Sequence, residues 1–284
     1  MRELTAEELK MVELDILKNV ASFCDKNNIR YSLGGGTLLG AIRHKGFIPW
    51  DDDIDIMMPR PDYIKFLNTY NQSTEKYVVK AIENDAQYWR TFAKVFDNRT
   101  VLIEDTIRIP TPGNGVFVDV FPVDGLPCAK WKQQILFKVQ EFLNFLYHGS
   151  AWNYTKSLKY ADSKSSLASV KGNLRTILKF IAITLLYPLP THKLIRLINW
   201  NASRTQYDYA KEVAAIVDCH YGGSREKMIK ADFEIQIPVI FEGETFWAMG
   251  AYKEYLTNMY GDYMQPPPKE KQVTHHDFTA YWKD

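Results

Sequence analysis

Cysteine is scarce. The 284-residue chain has three, too few for a disulfide-stapled scaffold, and that scarcity points to a reducing compartment. Charge of one sign is missing as well. The chain carries 35 Lys and Arg against 34 Asp and Glu, a formal net charge of +1, so no overall basic field marks a nucleic-acid binder. Nowhere do eighteen apolar residues run together, which argues against a conventional membrane-spanning helix. The first fifteen residues, MRELTAEELKMVELD, lack the apolar centre of a secretory leader, and a cytoplasmic location is expected. Internal repeats and low-complexity tracts are absent too. What remains is a globular balance, 46% hydrophobic and 24% charged, long enough to bury a sizeable core. The one rich class is aromatic, at 14% with 7 Trp and 17 Tyr, which suggests pockets that stack or cage a ligand.

The near-zero net charge hides an asymmetry. Between Cys128 and Ala215 there are thirteen Lys and Arg against four Asp and Glu, a local +9, so the remainder carries −8. A division follows: a catalytic core over 1–127, a basic helical insertion over 128–215, and a C-terminal segment, 216–284, that packs back on the core. In the first part, Thr5 and Glu8 form a T-x-x-E capping box. Leu9, Val12, Ile16, Val20 and Phe23 then give helical periodicity to about Asp25. Ile29, Tyr31 and Leu33 alternate as a strand that stops at Gly34-Gly35-Gly36, and a short helix is expected from Thr37 to Arg43. Asp53 to Met57 alternates again, Asp62 to Tyr70 reads as helix, and strands are expected at 77–82, 91–96, 101–104 and 116–121. The mixture points to an α/β or α+β core. The basic middle reads as helical, and its most apolar stretch, Leu174–Ile198, is open to two readings: a buried helix pair, or a basic apolar surface that docks on an anionic membrane. The tail from Phe241 predicts a strand, a helix to Tyr260 and a C-cap at Gly261.

The chemistry concentrates in GGGTLLGAIRHKGFIPWDDDIDIM, Gly34–Met57. Asp51, Asp52, Asp53 and Asp55 fall within five residues. Such carboxylates repel unless a cation neutralises them. In a strand Asp53 and Asp55 point to one face and Ile54 and Ile56 to the other. Carboxylates on a strand edge suit Mg²⁺, a hard cation that takes oxygen ligands, with Mn²⁺ an alternative. Gly35, Gly36 and Thr37 let backbone N–H groups and a helix N-terminus approach a phosphate. Val118-Asp119-Val120 places a third carboxylate inside an apolar strand, where it needs a partner or a metal. Arg43, His44, Lys45 and Lys94 are further phosphate candidates, and Arg99 a weaker one. Lys94 shares a face with Phe92 and Phe96, so snorkelling competes with phosphate contact. Cys219-His220 has no partner at zinc spacing, and Cys24 reads as core.

The hG[G/S] turn, D-h-D-h strand and later h-D-h strand, here Gly35-Gly36-Thr37, Asp53-Ile54-Asp55-Ile56 and Val118-Asp119-Val120, resemble the nucleotidyltransferase (polymerase-β-like) superfamily. Closer still, LLGAIRHKGFIPWDDDIDI, FVDVFPVDGLP and the tail FEGETF…YKEYLTNMYGDYMQPPPKEK…HH resemble the LicD family, which is related to the fukutin-type proteins. The resemblance implies an α+β fold with a mixed sheet core and a helical insertion. It also implies Mg²⁺-dependent transfer of phosphocholine from CDP-choline to a sugar hydroxyl of a lipid-linked glycan or teichoic-acid precursor in a bacterium, with release of CMP. Asp53 and Asp55 would hold metal, Asp119 would complete the metal site or take the proton of the attacking hydroxyl, and Asp52 and Asp51 would support them or, for Asp52, ligate. In the tail, Tyr255, Tyr260, Asp262, Tyr263 and Pro267 belong to the motif and could reach the donor, and His275-His276 could contact phosphate or acceptor. A quaternary ammonium suits an aromatic cage. Trp50, Trp89, Tyr88, Trp152 and Trp247 are the candidates, with no choice among them. Competing readings are the same chemistry with CDP-ribitol or CDP-glycerol, nucleotidyl transfer from a nucleoside triphosphate, and a choline- or glycan-binding module without turnover.

Overall fold

The computed structural model describes residues 1–104, 114–151, 188–218, 223–272 and 278–283. After β1 (Arg2–Glu3), α1 (Ala6–Asn27) begins at the expected capping box: the Thr5 hydroxyl accepts from the Glu8 N–H, and the Glu8 carboxylate accepts from the Thr5 N–H. The apolar stripe of α1, from Leu9 through Val12, Ile16 and Val20 to Cys24, is buried. The helix runs two residues past Asp25 because Asn28 caps it in the left-handed region, with φ of 50°.

The central sheet uses β2 (Ser32–Leu33), β3 (Asp55–Pro59), β4 (Tyr77–Lys80), β5 (Ala93–Asp97) and, beyond β6 (Thr100–Glu104), the long β7 (Phe117–Gly125). Its order is β2-β3-β7-β5-β4, with β3 and β7 parallel and the other pairs antiparallel. Near the end of β7, β8 (Glu212–Ala214) adds to the sheet, followed by β9 (Met228–Ile229). β10 (Gln236–Phe241) and β11 (Glu244–Met249) form a hairpin, and β12 (Phe278–Trp282) lies between β1 and β6. The mixed sheet with flanking helices is an α+β architecture, as expected.

Alternation decides the two faces of the sheet. Ile54, Ile56, Val118, Val120 and Val95 are buried in one core with the α1 stripe and with Tyr63 and Phe66 of α3 (Arg60–Thr69), which follows α2 (Gly35–Arg43) and β3. On the opposite face, Phe92 and Phe121 join Trp89 and Leu126 in a second apolar cluster. That cluster is completed by α4 (Lys130–Ala151) and α5 (Thr191–Ala202), which pack on each other. Thus the described part of the basic segment shares a core with the sheet, and β8, also from that segment, pairs with β7. α6 (Lys230–Phe233) and α7 (Tyr252–Tyr260) lie in the C-terminal part. Among the described residues no helix is long and apolar enough to cross a membrane. Of the stretch Leu174–Ile198, residues 174–187 lie outside the described residues.

Several boundaries differ from expectation. α2 starts at Gly35 rather than Thr37, because Gly35 and Gly36 adopt helical pairing that their missing side chains permit. Strand β3 starts at Asp55 rather than Asp53, so Asp53 lies on the approach to the strand and not in it. The expected Ile29–Leu33 strand shrinks to Ser32–Leu33, the only residues that find a partner, in β3.

Arg60 ties these layers together. At the start of α3 its guanidinium makes two bonds to Asp124 on β7, at 2.7 and 2.6 Å, and reaches Asn199 of α5 at 3.3 Å. Asp124 is buried, and this fork supplies the partner that its carboxylate needs there. Asp124→Ala removes the fork and leaves Arg60 to Glu83, 3.6 Å away, and is expected to cost about 3 kcal/mol in urea unfolding; a loss under about 1 kcal/mol would show that the pair is not holding α3 and α5 to the sheet.

Candidate active site

The site is built where three strands and one helix meet. Register places Asp55 of β3 opposite Asp119 of β7, and Asp119 opposite Lys94 of β5. Directly opposite residues share a face, so the three charged side chains stand abreast. Lys94 Nζ lies 2.7 Å from Asp119 Oδ1, and both side chains are almost fully buried. The ammonium also sits 3.2 Å from the centre of the Phe117 ring. The partner that a mid-strand aspartate requires is therefore supplied by Lys94.

The N-terminus of α2 closes one side. Gly35 has φ of +45°, and a Cβ there would collide with Asp55 Oδ2; a Cβ on Gly36 would collide with Asp51 Oδ2. The glycines are needed because carboxylates press against the first turn, where the helix dipole favours negative charge. The Thr37 hydroxyl accepts a 2.8 Å bond from the Asp55 N–H and is buried, so the side chain clamps the strand to the helix. Gly35 N–H donates to the Tyr255 hydroxyl at 3.3 Å, which brings the C-terminal helix α7 to the same corner.

These groups line a cleft of about 770 Å³. Of the residues singled out in the sequence, Gly35, Gly36, Arg43, Trp50, Asp51, Asp53, Asp55, Trp89, Lys94, Asp119, Tyr255, Tyr260, Tyr263 and Pro267 reach it. Arg43 donates to the Tyr263 carbonyl at 2.8 Å and to His44 Nε2 at 2.9 Å. Thr37, His44, Lys45, Asp52 and Asp262 do not line the cleft. His44 packs edge-on to Trp50, and Lys45, at φ of 64°, is exposed with its carbonyl accepting from Glu242. Arg99 is spent on Asp97 at 2.6 Å. Tyr88 is buried away from the cleft, and Trp247 donates to Asp25 at 3.0 Å. Gly261 caps α7 at φ of 72°, and Cys24 is core, both as expected. Trp152, Cys219, His220, His275 and His276 lie outside the described residues.

The cleft also holds groups that sequence reasoning missed. The Arg90 guanidinium lies 3.9 Å from the centre of the Trp89 ring. Its signal was adjacency to a tryptophan ahead of β5, which drew attention to the ring instead. His148 from α4, Asp218 and Glu226 also converge here, with His148 Nε2 3.9 Å from Asp218 Oδ1. No motif links these three residues, so nothing in the sequence could have grouped them.

The electrostatics are those of a site short of positive charge. Burial pushes the Asp55 carboxyl well above the usual carboxylate range, and the charges of Asp53, Asp119 and Asp51 push it further, while Lys94 acts the other way. Burial also raises Glu13 of α1, with Asp53 and Asp52 adding to it. An all-carboxylate donor set in excess of its cations fits a hard divalent ion. Among the described residues no group of three or more His, Cys, Asp or Glu side chains is placed to hold a metal ion by itself.

Two outcomes follow from this geometry. Gly35→Ala should lower unfolding stability by about 1–3 kcal/mol in urea, from a left-handed φ and the displaced Asp55 carboxylate; native stability would contradict the close approach. Glu226 is pushed up to about 8 by burial and by Asp218, from 4.5. The folded protein therefore keeps a proton that the unfolded chain releases, and stability drains away between pH of about 4.5 and 8. Glu226→Gln should leave Tm nearly unchanged at pH ~5 and raise it by a few degrees at pH ~9; an equal shift at both values would refute the burial of that carboxyl.

Comparison with known proteins agrees with these features. The family described as LicD/FKTN/FKRP, nucleotidyltransferase domain, matches residues 28–148, the span that carries Gly35, Asp55, Lys94 and Asp119. Lipopolysaccharide cholinephosphotransferase LicD of Haemophilus influenzae is 36% identical over 287 aligned residues, covering 99% of each chain. An uncharacterised protein of Rickettsia typhi is 49% identical over 51 residues, 18% of this chain and 16% of its own. One of Rickettsia prowazekii is 49% identical over 49 residues, 17% of this chain and 18% of its own. With a relative of that identity aligned from end to end, and with the family's domain falling on the charged strands of the cleft, the chain belongs to the LicD family.

Proposed function

We propose that this chain transfers phosphocholine from CDP-choline to a sugar hydroxyl of a surface-glycan precursor, of lipopolysaccharide or teichoic-acid type. The observation that carries this is the end-to-end match to a lipopolysaccharide cholinephosphotransferase, at 36% identity over 99% of both chains. The cleft supports it chemically. Phosphoryl transfer from a diphosphate needs its oxygens neutralised and its groups aligned more than it needs covalent help. The fold is read as the nucleotidyltransferase type, with β3 and β7 as its two acidic strands.

In the reaction the acceptor oxygen bonds to the phosphorus that bears choline. The phosphorus–oxygen bond to CMP breaks, CMP leaves with that oxygen, and the hydroxyl proton goes to a base. Asp53 and Asp55 would hold Mg²⁺, or Mn²⁺ in its place, which neutralises the diphosphate when bound. Asp119 is the base: Lys94, 2.7 Å away, holds its carboxylate in register beside Asp55. Arg43 and Arg90, both on the cleft wall, supply cations for the leaving phosphate.

CMP release with Mg²⁺ and a glycan-precursor extract tests the reading. CDP-choline should be consumed and CDP-ribitol and CDP-glycerol left intact. Asp55→Ala and Asp119→Asn should each lose about 10³-fold in rate, and chelation should abolish turnover. Consumption of a polyol donor instead would change the substrate, and pyrophosphate release from a nucleoside triphosphate would replace the reaction altogether.

A further inference from the structure

The cleft leaves one prominent feature of the molecule without a role. The inward side of α4 is buried through Leu136, Phe137, Gln140, Leu143 and Tyr147. Its outward side should then be polar. Instead it carries Trp131, Ile135, Val139, Phe142 and Phe145, with Trp131, Phe142 and Phe145 57–62% exposed. At 100° per residue these five fall within one arc of the helix, spread over about 21 Å of its length. Exposed Lys132 and Lys138 lie on the same side, Lys132 within 5.4 Å of the Trp131 ring centre. The pattern repeats on α5, where Leu197 and Trp200 are exposed beside Lys193 and Arg196, and Arg204 lies 5.0 Å from the centre of the Trp200 ring. Glu141 is the one acidic residue in either helix.

We propose that the outer faces of α4 and α5 dock on an anionic membrane surface. Bulky aromatics flanked by lysine and arginine suit the headgroup boundary, where rings enter the acyl region and cations meet lipid phosphates. Charge complementarity chooses this occupant over the chain's own residues 152–187. Those carry six Lys and Arg against one Asp, so covering the face with them would bring like charges together. The surface lies outside the transfer cleft: none of Trp131, Ile135, Val139, Phe142 or Phe145 lines it. The proposal therefore stands or falls independently of the donor.

Co-sedimentation of the full chain with vesicles tests it, using phosphatidylcholine alone and phosphatidylcholine with about 30% phosphatidylglycerol. The native chain should sediment with the anionic vesicles at ~50 mM salt, bind the neutral ones weakly, and be released at ~500 mM. Phe142→Ser with Phe145→Ser, and separately Lys132→Glu with Lys138→Glu, should each weaken binding about tenfold or more. Both pairs should keep a native far-ultraviolet circular dichroism spectrum, because the side chains are exposed. Absence of binding by the native chain would overturn the proposal, and is the result expected if residues 152–187 cover the face. Native-like binding by both variant pairs would overturn it too. So would a concentration-dependent dimer in sedimentation velocity that the variants dissociate without any vesicle binding, which would make the face an interface between copies.

Discussion

Crowded negative charge is the constraint on which the site depends. Asp55 has Asp51, Asp53 and Asp119 as electrostatic neighbours, and Lys94 opposes them. The structure tolerates this by several devices at once. The Lys94–Asp119 pair uses strand register to place opposite charges directly across from each other. The first turn of α2 turns its positive end toward the carboxylates, with glycines where any side chain would intrude. Thr37 binds the backbone of Asp55 and so fixes the strand against that helix.

The rest of the fold keeps those strands in register. Ile54, Ile56, Val118 and Val120 alternate with the charged residues and bury themselves against α1, so the packing that stabilises the core is also what orients the aspartates. A slip of one residue would turn the carboxylates into the core and the isoleucines into the cleft. On the cleft side, Phe92 and Phe121 anchor α4 and α5, and Arg60 links α3 to β7 and α5. One wall of the cleft is thus supplied by the basic segment through Tyr147 and His148.

Much of this was legible beforehand for a simple reason: short-range patterns report local structure. The capping box of α1, the embedded Asp119 and the Gly261 cap all announce themselves within a few residues. Boundaries that depended on pairing were read less well. Ile29 and Tyr31 alternate like a strand, yet only Ser32 and Leu33 find a partner. The Thr37 hydroxyl accepts from a backbone N–H eighteen residues away, a contact that no local pattern announces.

The sequence by itself determined which strand residues carry charge, which alternate residues must be buried, and which family the motifs resemble, because spacing along a strand or helix dictates the direction of each side chain. Tertiary structure alone decided who meets whom. It made Lys94 the partner of Asp119, brought Arg90, His148, Asp218 and Glu226 to the cleft, withdrew Asp52, Lys45 and Asp262 from it, and left the apolar face of α4 facing outward. Those outcomes depend on strand order and helix packing between segments far apart in the chain, and no local spacing encodes them.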